Sequence, residues 1–142
     1  ACWKMYLGRP HTDWCRNSGL GILGGALRVS KRPEEALPVL EASLALKRRY
    51  WSHDEETILA AQGNLANCLD DVGRLDEAVV LKRRVYARRV ATLGVSHEET
   101  IVSGLSVTNS LTQLSLFEES KTLVRNQLLP EARRSLGADH DV

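Results

Sequence analysis

The sequence repeats itself about every 42–43 residues, and this period constrains the fold more than any other feature. A Leu-Gly-x-x-His pattern begins at Leu7, Leu93 and Leu136, so that its successive histidines lie 86 and 43 residues apart. Self-similarity at this period is typical of stacked helical hairpins, in which each unit buries its apolar face against its neighbours. Stacks of this kind usually bind other proteins and rarely catalyse reactions, so the period already indicates a class of function.

Each period contains signals for two helices. The segment Arg74–Ala78 places two acids before a small residue, and similar segments stand at Arg32–Ala36 and Leu116–Ser120. Acids in a first turn favour a helix start because they face the positive end of the helix dipole. Upstream of each start, apolar residues four apart, such as Leu65 and Leu69, indicate another helix. The predicted pairs are 13–30 with 34–49, 54–71 with 76–92, and 97–114 with 118–135.

Helix ends can be predicted from single residues. We expect Gly73 to end a helix in the left-handed conformation. Ser52 and Ser96 each precede a glutamate by three residues, which predicts a capping box at the next helix start. The first helix holds four glycines between residues 19 and 25, and because each costs roughly 0.5–1 kcal/mol against alanine, we expect that helix to depend on packing.

The middle period resembles a known family. Gly63-Asn64-Leu65-Ala66-Asn67-Cys68-Leu69, followed by Gly73-Arg74-Leu75-Asp76-Glu77-Ala78, is similar to the long tetratricopeptide repeat found in kinesin light chains. The resemblance implies an all-α, right-handed superhelical array of antiparallel helix pairs. It divides the chain into the end of a preceding repeat (1–10), repeat 1 with a degenerate first helix (11–50), repeat 2 (51–92), repeat 3 (93–135) and the start of a following repeat (136–142).

Composition and motifs argue against several functions. The chain has 19 basic and 18 acidic residues, so no net field draws it to nucleic acid or an anionic membrane, and no run of about 18 apolar residues predicts a membrane span. Three unevenly spaced cysteines favour a reducing, cytoplasmic compartment, with Cys68 as a small buried apolar residue. The histidines occupy equivalent places in successive repeats, which is too far apart for one metal ion. We therefore expect no cofactor, no metal and no enzymatic activity.

The resemblance implies a binding site on the concave face. Carried onto this sequence, its groove-facing positions are Arg28, Gly63, Asn67, Asp70, Asp71, Val102, Leu105, Asn109, Thr112 and Gln113. Asn67 and Asn109 are the strongest candidates, because an amide can both donate to and accept from an extended peptide backbone. The alternative is that they hydrogen-bond between adjacent helices. The expected partner is a protein or peptide of unidentified sequence, and the specific role implied is a kinesin light chain-like adaptor.

Two other functions remain open. Basic residues cluster late in the second helices and form a predicted outer ridge: Lys47, Arg48, Arg49, Lys82, Arg83, Arg84, Arg88 and Arg89. This ridge could bind an acidic protein or an anionic polymer, although cations near a helix C-terminus are also favourable as a solvated face. Alternatively, the repeats could space or dock neighbouring domains and flanking repeats of the same polypeptide.

Overall fold

The computed structural model describes residues 14–137, which form helices joined by short turns, with no β-strand in this range. The helices are α1 (Trp14–Val29), α2 (Pro33–Tyr50), α3 (Glu55–Asp71), α4 (Leu75–Leu93), α5 (Glu98–Gln113), α6 (Phe117–Leu123) and α7 (Leu129–Gly137). A π-helical turn, Val124–Leu128, joins α6 to α7. The all-α prediction is confirmed, although the predicted last helix contains this turn. The predicted stump at 1–10, and residues 138–142 of the predicted following repeat, lie outside the described residues.

The chain divides after Arg74 into two compact units. In unit 1, formed by α1 to α3, the core is a cluster of Ala36, Leu40 and Cys68, with Leu27 and Leu65 packed against it. Cys68 is buried as predicted, its thiol contacts the carbonyl oxygen of Pro33 at 3.3 Å, and burial raises the pKa of the thiol. The small residue Ala36 at the start of α2 and Cys68 on α3 therefore meet in one cluster.

In unit 2, formed by α4 to α7, the core is a cluster of Val79, Val107 and Leu111. Tyr86 and Leu123 pack against its edge. The small residues expected at the helix starts, Ala36 and Ala78 and their counterpart Ser120, are all buried in their own units. Close helix packing therefore uses the same register position in each period.

The turns repeat with the sequence. Lys31, Gly73 and Ser115 lie 42 residues apart, and all three have positive φ, at 61°, 83° and 61°. The residue after each of them donates its backbone N–H to a carbonyl five residues earlier: Arg32 to Leu27, Arg74 to Leu69 and Leu116 to Leu111, each at 2.9 Å. This six-to-one bond is the Schellman helix end. The prediction for Gly73 is confirmed, and the same geometry holds at two residues that are not glycine.

The predicted cap of α3 is wrong by two residues. Asp54, rather than Ser52, is the N-cap: its carboxylate accepts from the backbone N–H of Thr57 at 3.0 Å and from the Thr57 hydroxyl at 2.6 Å. These hydrogen bonds, led by the hydroxyl, lower the pKa of Asp54. A charged acceptor at the positive end of the helix dipole is favoured over a serine hydroxyl.

The predicted cap of α5 is also wrong. His97 is the N-cap, and its Nδ1 accepts from the backbone N–H of Glu99 at 3.2 Å. The Ser96 hydroxyl instead donates to the Glu131 carboxylate at 2.6 Å. His97 therefore serves a helix start.

The glycine-rich first helix is formed, and two adjacent glycines have different surroundings. A Cβ added at Gly24 would lie 2.4 Å from Cδ2 and 2.6 Å from Cγ of Leu40, so α1 and α2 approach each other closely there. A Cβ added at Gly25 would meet no heavy atom within 4 Å. The close approach explains one glycine, whereas the other costs helix stability with no packing benefit.

Candidate functional site

Five of the predicted groove residues belong to unit 1. On α3, Gly63, Asn67 and Asp70 are half-buried and Asp71 is exposed, while Arg28 on α1 is half-buried. A Cβ at Gly63 would meet nothing within 4 Å, so the helix surface there is open. The structure thus leaves this side of α3 accessible to a ligand.

Arg28 and Asp71 are in direct contact. The Arg28 Nε lies 2.6 Å from the Asp71 Oδ2, which joins α1 to the end of α3. A cavity of about 510 Å³ lies beside them, lined also by Val29, Lys31 and Glu34. Because Arg28 pairs with Asp71, and Lys31 and Glu34 carry opposite charges, the cavity offers a ligand little net charge.

The other five predicted groove residues form one exposed face of α5. Val102, Leu105, Asn109, Thr112 and Gln113 are all exposed, at the spacing of one helix face. The side chains of Val102 and Leu105 are 53% and 54% exposed. Residues 100–113 contain no charged side chain. The N-terminal half of this face is therefore apolar, and its C-terminal half is polar but uncharged.

The basic ridge needs correction. Lys82 and Arg89 are only 3% and 7% exposed, so neither is available on an outer surface. The other six predicted members are exposed or half-buried. Among them, burial lowers the pKa of the Lys47 ammonium while nearby Asp54 opposes the shift, and Arg83 forms an ion pair with Glu119. The surface that remains is smaller and less positive than the sequence suggested.

Lys82 is buried because α4 packs against a hydroxyl-rich side of α5. Its Nζ donates to the Ser110 hydroxyl at 2.8 Å and contacts the carbonyl oxygen of Ser106 at 3.4 Å. The sequence did contain a signal for this burial. Forty-two residues on either side of Lys82 stand Leu40, which is buried in unit 1, and Val124. The apolar residues at the equivalent positions therefore indicate that Lys82 is buried, whereas its positive charge alone suggests that it is exposed.

Arg89 has an equivalent role two helical turns further along α4. Its Nη1 donates to the Ser103 hydroxyl at 2.8 Å and lies 3.0 Å from the Glu99 carboxylate. A buried cation requires such partners, since an unpaired one would be strongly destabilising. Arg89 thus fixes α4 against the start of α5 rather than serving a ligand.

Two absences hold for the part of the chain that the structure describes. No group of three or more His, Cys, Asp or Glu side chains between residues 14 and 137 is placed to hold a metal ion. Within the same range, no helix is both long and apolar enough to cross a membrane.

Comparison with known proteins identifies the middle of the chain. Residues 58–99 match a family model described as Tetratricopeptide repeat. The match covers 42 of the 142 residues, and this stretch is similar to that repeat. A comparison with curated proteins returned no match.

Two crystal structures show the same fold. Both are of a kinesin light chain-like protein from Podosopora anserina with nearly identical TPR-like repeats, and one of them carries a single substitution. They are 21% identical in sequence, with TM-scores of 0.79 and 0.77 over 90% and 89% of this chain. The chain spans 60% of the length of each. The predicted kinesin light chain-like resemblance is confirmed, and at this identity the likeness concerns the fold.

The matched stretch 58–99 runs from α3 through α4 to the beginning of α5. Its first helix carries Gly63, Asn67 and the Asp70–Asp71 pair, and its second carries the cations from Lys82 onwards. These four groove candidates therefore lie on one helix of the matched stretch. Whether they bind a peptide is a matter of proposal.

Proposed function

We propose that this chain is a non-catalytic protein-interaction scaffold that binds a peptide or helix along the exposed face of α5 in unit 2. The observation that carries the proposal is the exposure of Val102 and Leu105 beside Asn109 on one uncharged helix face. Tetratricopeptide repeats commonly serve as protein-interaction scaffolds, and the fold is shared with kinesin light chain-like repeats. A cytoplasmic adaptor of that kind is the specific role we propose.

The apolar half of the face would supply most of the binding energy. Val102 and Leu105 each leave about half of their side chain in water, and covering such surface yields roughly 25 cal/mol per Å². Neighbouring exposed apolar side chains are a feature of interaction sites, whereas isolated ones need no explanation. We therefore expect the ligand to place apolar side chains over these two residues.

The polar half of the face would hold the ligand backbone. Asn109, Thr112 and Gln113 can each donate and accept hydrogen bonds, and their side chains are exposed. Asn67 occupies the same register position as Asn109 in the preceding repeat. Neutral donors and acceptors suit a peptide main chain, which carries no charge of its own.

Charge supports a peptide ligand over an anionic polymer. The face of α5 is uncharged, and in unit 1 Arg28 pairs with Asp71 while the third charged candidate, Asp70, is acidic, so the candidates there carry no excess of positive charge. The positive charge that the ridge exposes is smaller than predicted, because Lys82 and Arg89 are buried and Arg83 pairs with Glu119. Binding through phosphates would require several unpaired cations on one surface.

A peptide-array screen of the whole chain would test the proposal. Leu105→Ser and Asn109→Ala should each weaken binding of a recurrent motif by at least about tenfold, equivalent to about 1.4 kcal/mol. Leu129→Ser is the matched control, because Leu129 on α7 is 43% exposed and lies outside the face. Circular dichroism would verify that each variant is folded.

The competing functions give different results in the same screen. If binding is lost only in the Arg84→Glu/Arg88→Glu variant, the ligand is anionic and the peptide proposal fails. If no motif recurs, the chain spaces or docks neighbouring domains, and the adaptor role fails. Loss in Leu105→Ser and Asn109→Ala but not in Leu129→Ser supports the proposal.

A further inference from the structure

Unit 2 contains a cavity that none of the predicted groove residues lines. Its volume is about 310 Å³, and it lies among α4, α5, α6 and the π turn. Its floor is formed by Val107 and Leu111, which are 2% and 1% exposed, with Leu123 beside them. Val107 and Leu111 are on the buried side of α5, whereas Asn109 is exposed, so the cavity is separate from the proposed peptide face.

Two polar bridges cross the rim of this cavity. The Tyr86 hydroxyl on α4 donates to the Gln127 side-chain oxygen in the π turn at 2.9 Å. Arg83, also on α4, forms an ion pair with Glu119 on α6. Partial burial raises the pKa of Tyr86, and Glu131 adds to the shift, so the phenol stays protonated as a donor. The rim is therefore polar with no net charge, above an apolar floor.

The π turn produces this rim. The Leu129 N–H donates to the Val124 carbonyl oxygen, one residue further than in an α-helix. Within the turn, Leu128 is buried against α5, where a Cβ added at Gly104 would lie 2.5 Å from its Cδ2. Leu128 anchors the turn, and Gln127 beside it is exposed at the cavity.

The sequence register shows that Gln127 is unusual. Forty-two and 84 residues earlier stand Val85 and Ser43, and both are buried in their own units. The last period, from Leu93 to Leu136, is 43 residues long, so Leu128 takes the buried position there and the extra residue leaves the amide of Gln127 exposed beside it. Single π turns are frequently found at functional sites. The departure from the repeat pattern coincides with the cavity, the π turn and the polar bridge.

The dimensions and chemistry of the cavity define its occupant. About 310 Å³ is roughly ten times the volume of a water molecule in the liquid, and it stands at the lower end of the range for small-ligand sites. Such a space suits one aromatic or branched side chain and part of its backbone. Because Arg83 and Glu119 already neutralise each other, a charged group would gain little. The amides of Asn126 and Gln127 match the hydrogen-bonding groups of a peptide unit.

We infer that this cavity is a second recognition pocket, which receives one bulky uncharged side chain of a protein partner and hydrogen-bonds the adjoining peptide group at its rim. The apolar floor binds the side chain, and the amides of the π turn orient the backbone. The pocket does not depend on the peptide face of α5, so either site could bind without the other.

The test is an NMR titration of the isotope-labelled whole chain with N-acetyl-phenylalaninamide, and with N-acetyl-alaninamide as the small-side-chain control. We expect saturable shifts centred on Tyr86, Val107 and Gln127 with a Kd on the order of 1 mM, as a ligand of this size allows. The alanine probe should bind at least tenfold more weakly. Shifts that do not saturate, or that are confined to Leu105 and Asn109, would overturn the inference.

Two variants separate pocket filling from unfolding. Thr122→Trp places a large side chain at the exposed rim of the cavity and should weaken phenylalaninamide binding at least tenfold. Thr92→Trp makes the same change at an exposed residue of α4 away from the cavity, and should bind as the parent chain does. If Thr122→Trp alters the overall spectrum, Gln127→Leu decides instead, with an expected loss of about threefold to tenfold.

Failure of the pocket inference can be distinguished from failure of the proposed peptide face on α5. Asn109→Ala should leave binding of the phenylalanine probe unchanged. Equal binding by Thr122→Trp and Gln127→Leu would refute the pocket even if the peptide-array result were positive.

Discussion

Alanine substitutions at Gly24 and Gly25 should have opposite effects, although the two glycines are adjacent in α1. At Gly24 the new methyl group would lie 2.4 Å from Cδ2 and 2.6 Å from Cγ of Leu40. Leu40 is itself buried in the unit 1 cluster with Ala36 and Cys68, so its side chain cannot simply rotate into solvent. At Gly25 no heavy atom lies within 4 Å of the new methyl group.

The expected magnitudes follow from two contributions. Each substitution gains about 0.5–1 kcal/mol, because alanine is the better helix former. Only Gly24→Ala adds the cost of overpacking, which is about 1–3 kcal/mol. Gly25→Ala should therefore stabilise unit 1 by about 0.5–1 kcal/mol, while Gly24→Ala should destabilise it by up to about 2.5 kcal/mol. The difference between the variants, about 1–3 kcal/mol, isolates the overpacking cost because the helix-propensity gains cancel.

Urea denaturation followed by tryptophan fluorescence suits this comparison. Unit 2 contains no tryptophan and Trp51 lies in unit 1, so tryptophan fluorescence does not follow unit 2, while circular dichroism reports on the whole chain. If Gly24→Ala were as stable as Gly25→Ala, the close approach of α1 and α2 would be refuted. In a Leu40→Ala background the clash is absent, and Gly24→Ala should become stabilising.

Two further predictions concern the turns. Ser115→Gly should stabilise unit 2 by about 0.5–1 kcal/mol in urea denaturation followed by circular dichroism, because Ser115 has a φ of 61° that glycine adopts without steric cost. Asp54 should make stability fall as the pH drops below about 4: its pKa is lowered in the folded chain from about 3.9, so its contribution is present above that value and is lost as the carboxylate is protonated. Thermal melts of the chain and of Asp54→Asn between pH 3 and 7 would show this as a gap in Tm that narrows on acidification.

Each of these two predictions has a result that would contradict it. Gly73→Ser reverses the first change at the equivalent turn and should be destabilising, so a stabilising Gly73→Ser would show that the left-handed geometry does not set the energy. Melting temperatures of the chain and of Asp54→Asn that fell in parallel with acid would show that other carboxylates dominate the pH dependence.

The helical hairpins could be predicted because their signals recur at one period. The acidic pairs, the small residues at positions such as Ala36 and Ala78, and the apolar stripes all repeat at 42 residues, and the observed helices follow them. The helix caps were harder, since Ser52 and Asp54 both suit a cap and the choice depends on which acceptor reaches the free N–H groups. The π turn was not predicted. Pro130 lacks an N–H to donate to the carbonyl of Asn126, which favours an irregular turn there.

Candidate surfaces could be predicted where the register was followed and not where charge alone was used. Val102, Leu105 and Asn109 were placed by the family's register, and all three are exposed on α5. Lys82 and Arg89 were assigned to a solvated ridge from their charge, and both are buried. Their burial depends on serine hydroxyls across the helix interface, and such pairings are not visible in the pattern of a single helix.

The absence of charge between residues 100 and 113 has a kinetic consequence. A partner approaching the α5 face would meet no long-range field from that face to orient it, so its association rate should fall in the range of unsteered encounters, roughly 10⁵–10⁶ M⁻¹s⁻¹. That rate should also change little between low and physiological ionic strength, since there is little local charge to screen. Discrimination among partners at this face would then arise from how long each complex persists rather than from how fast it forms.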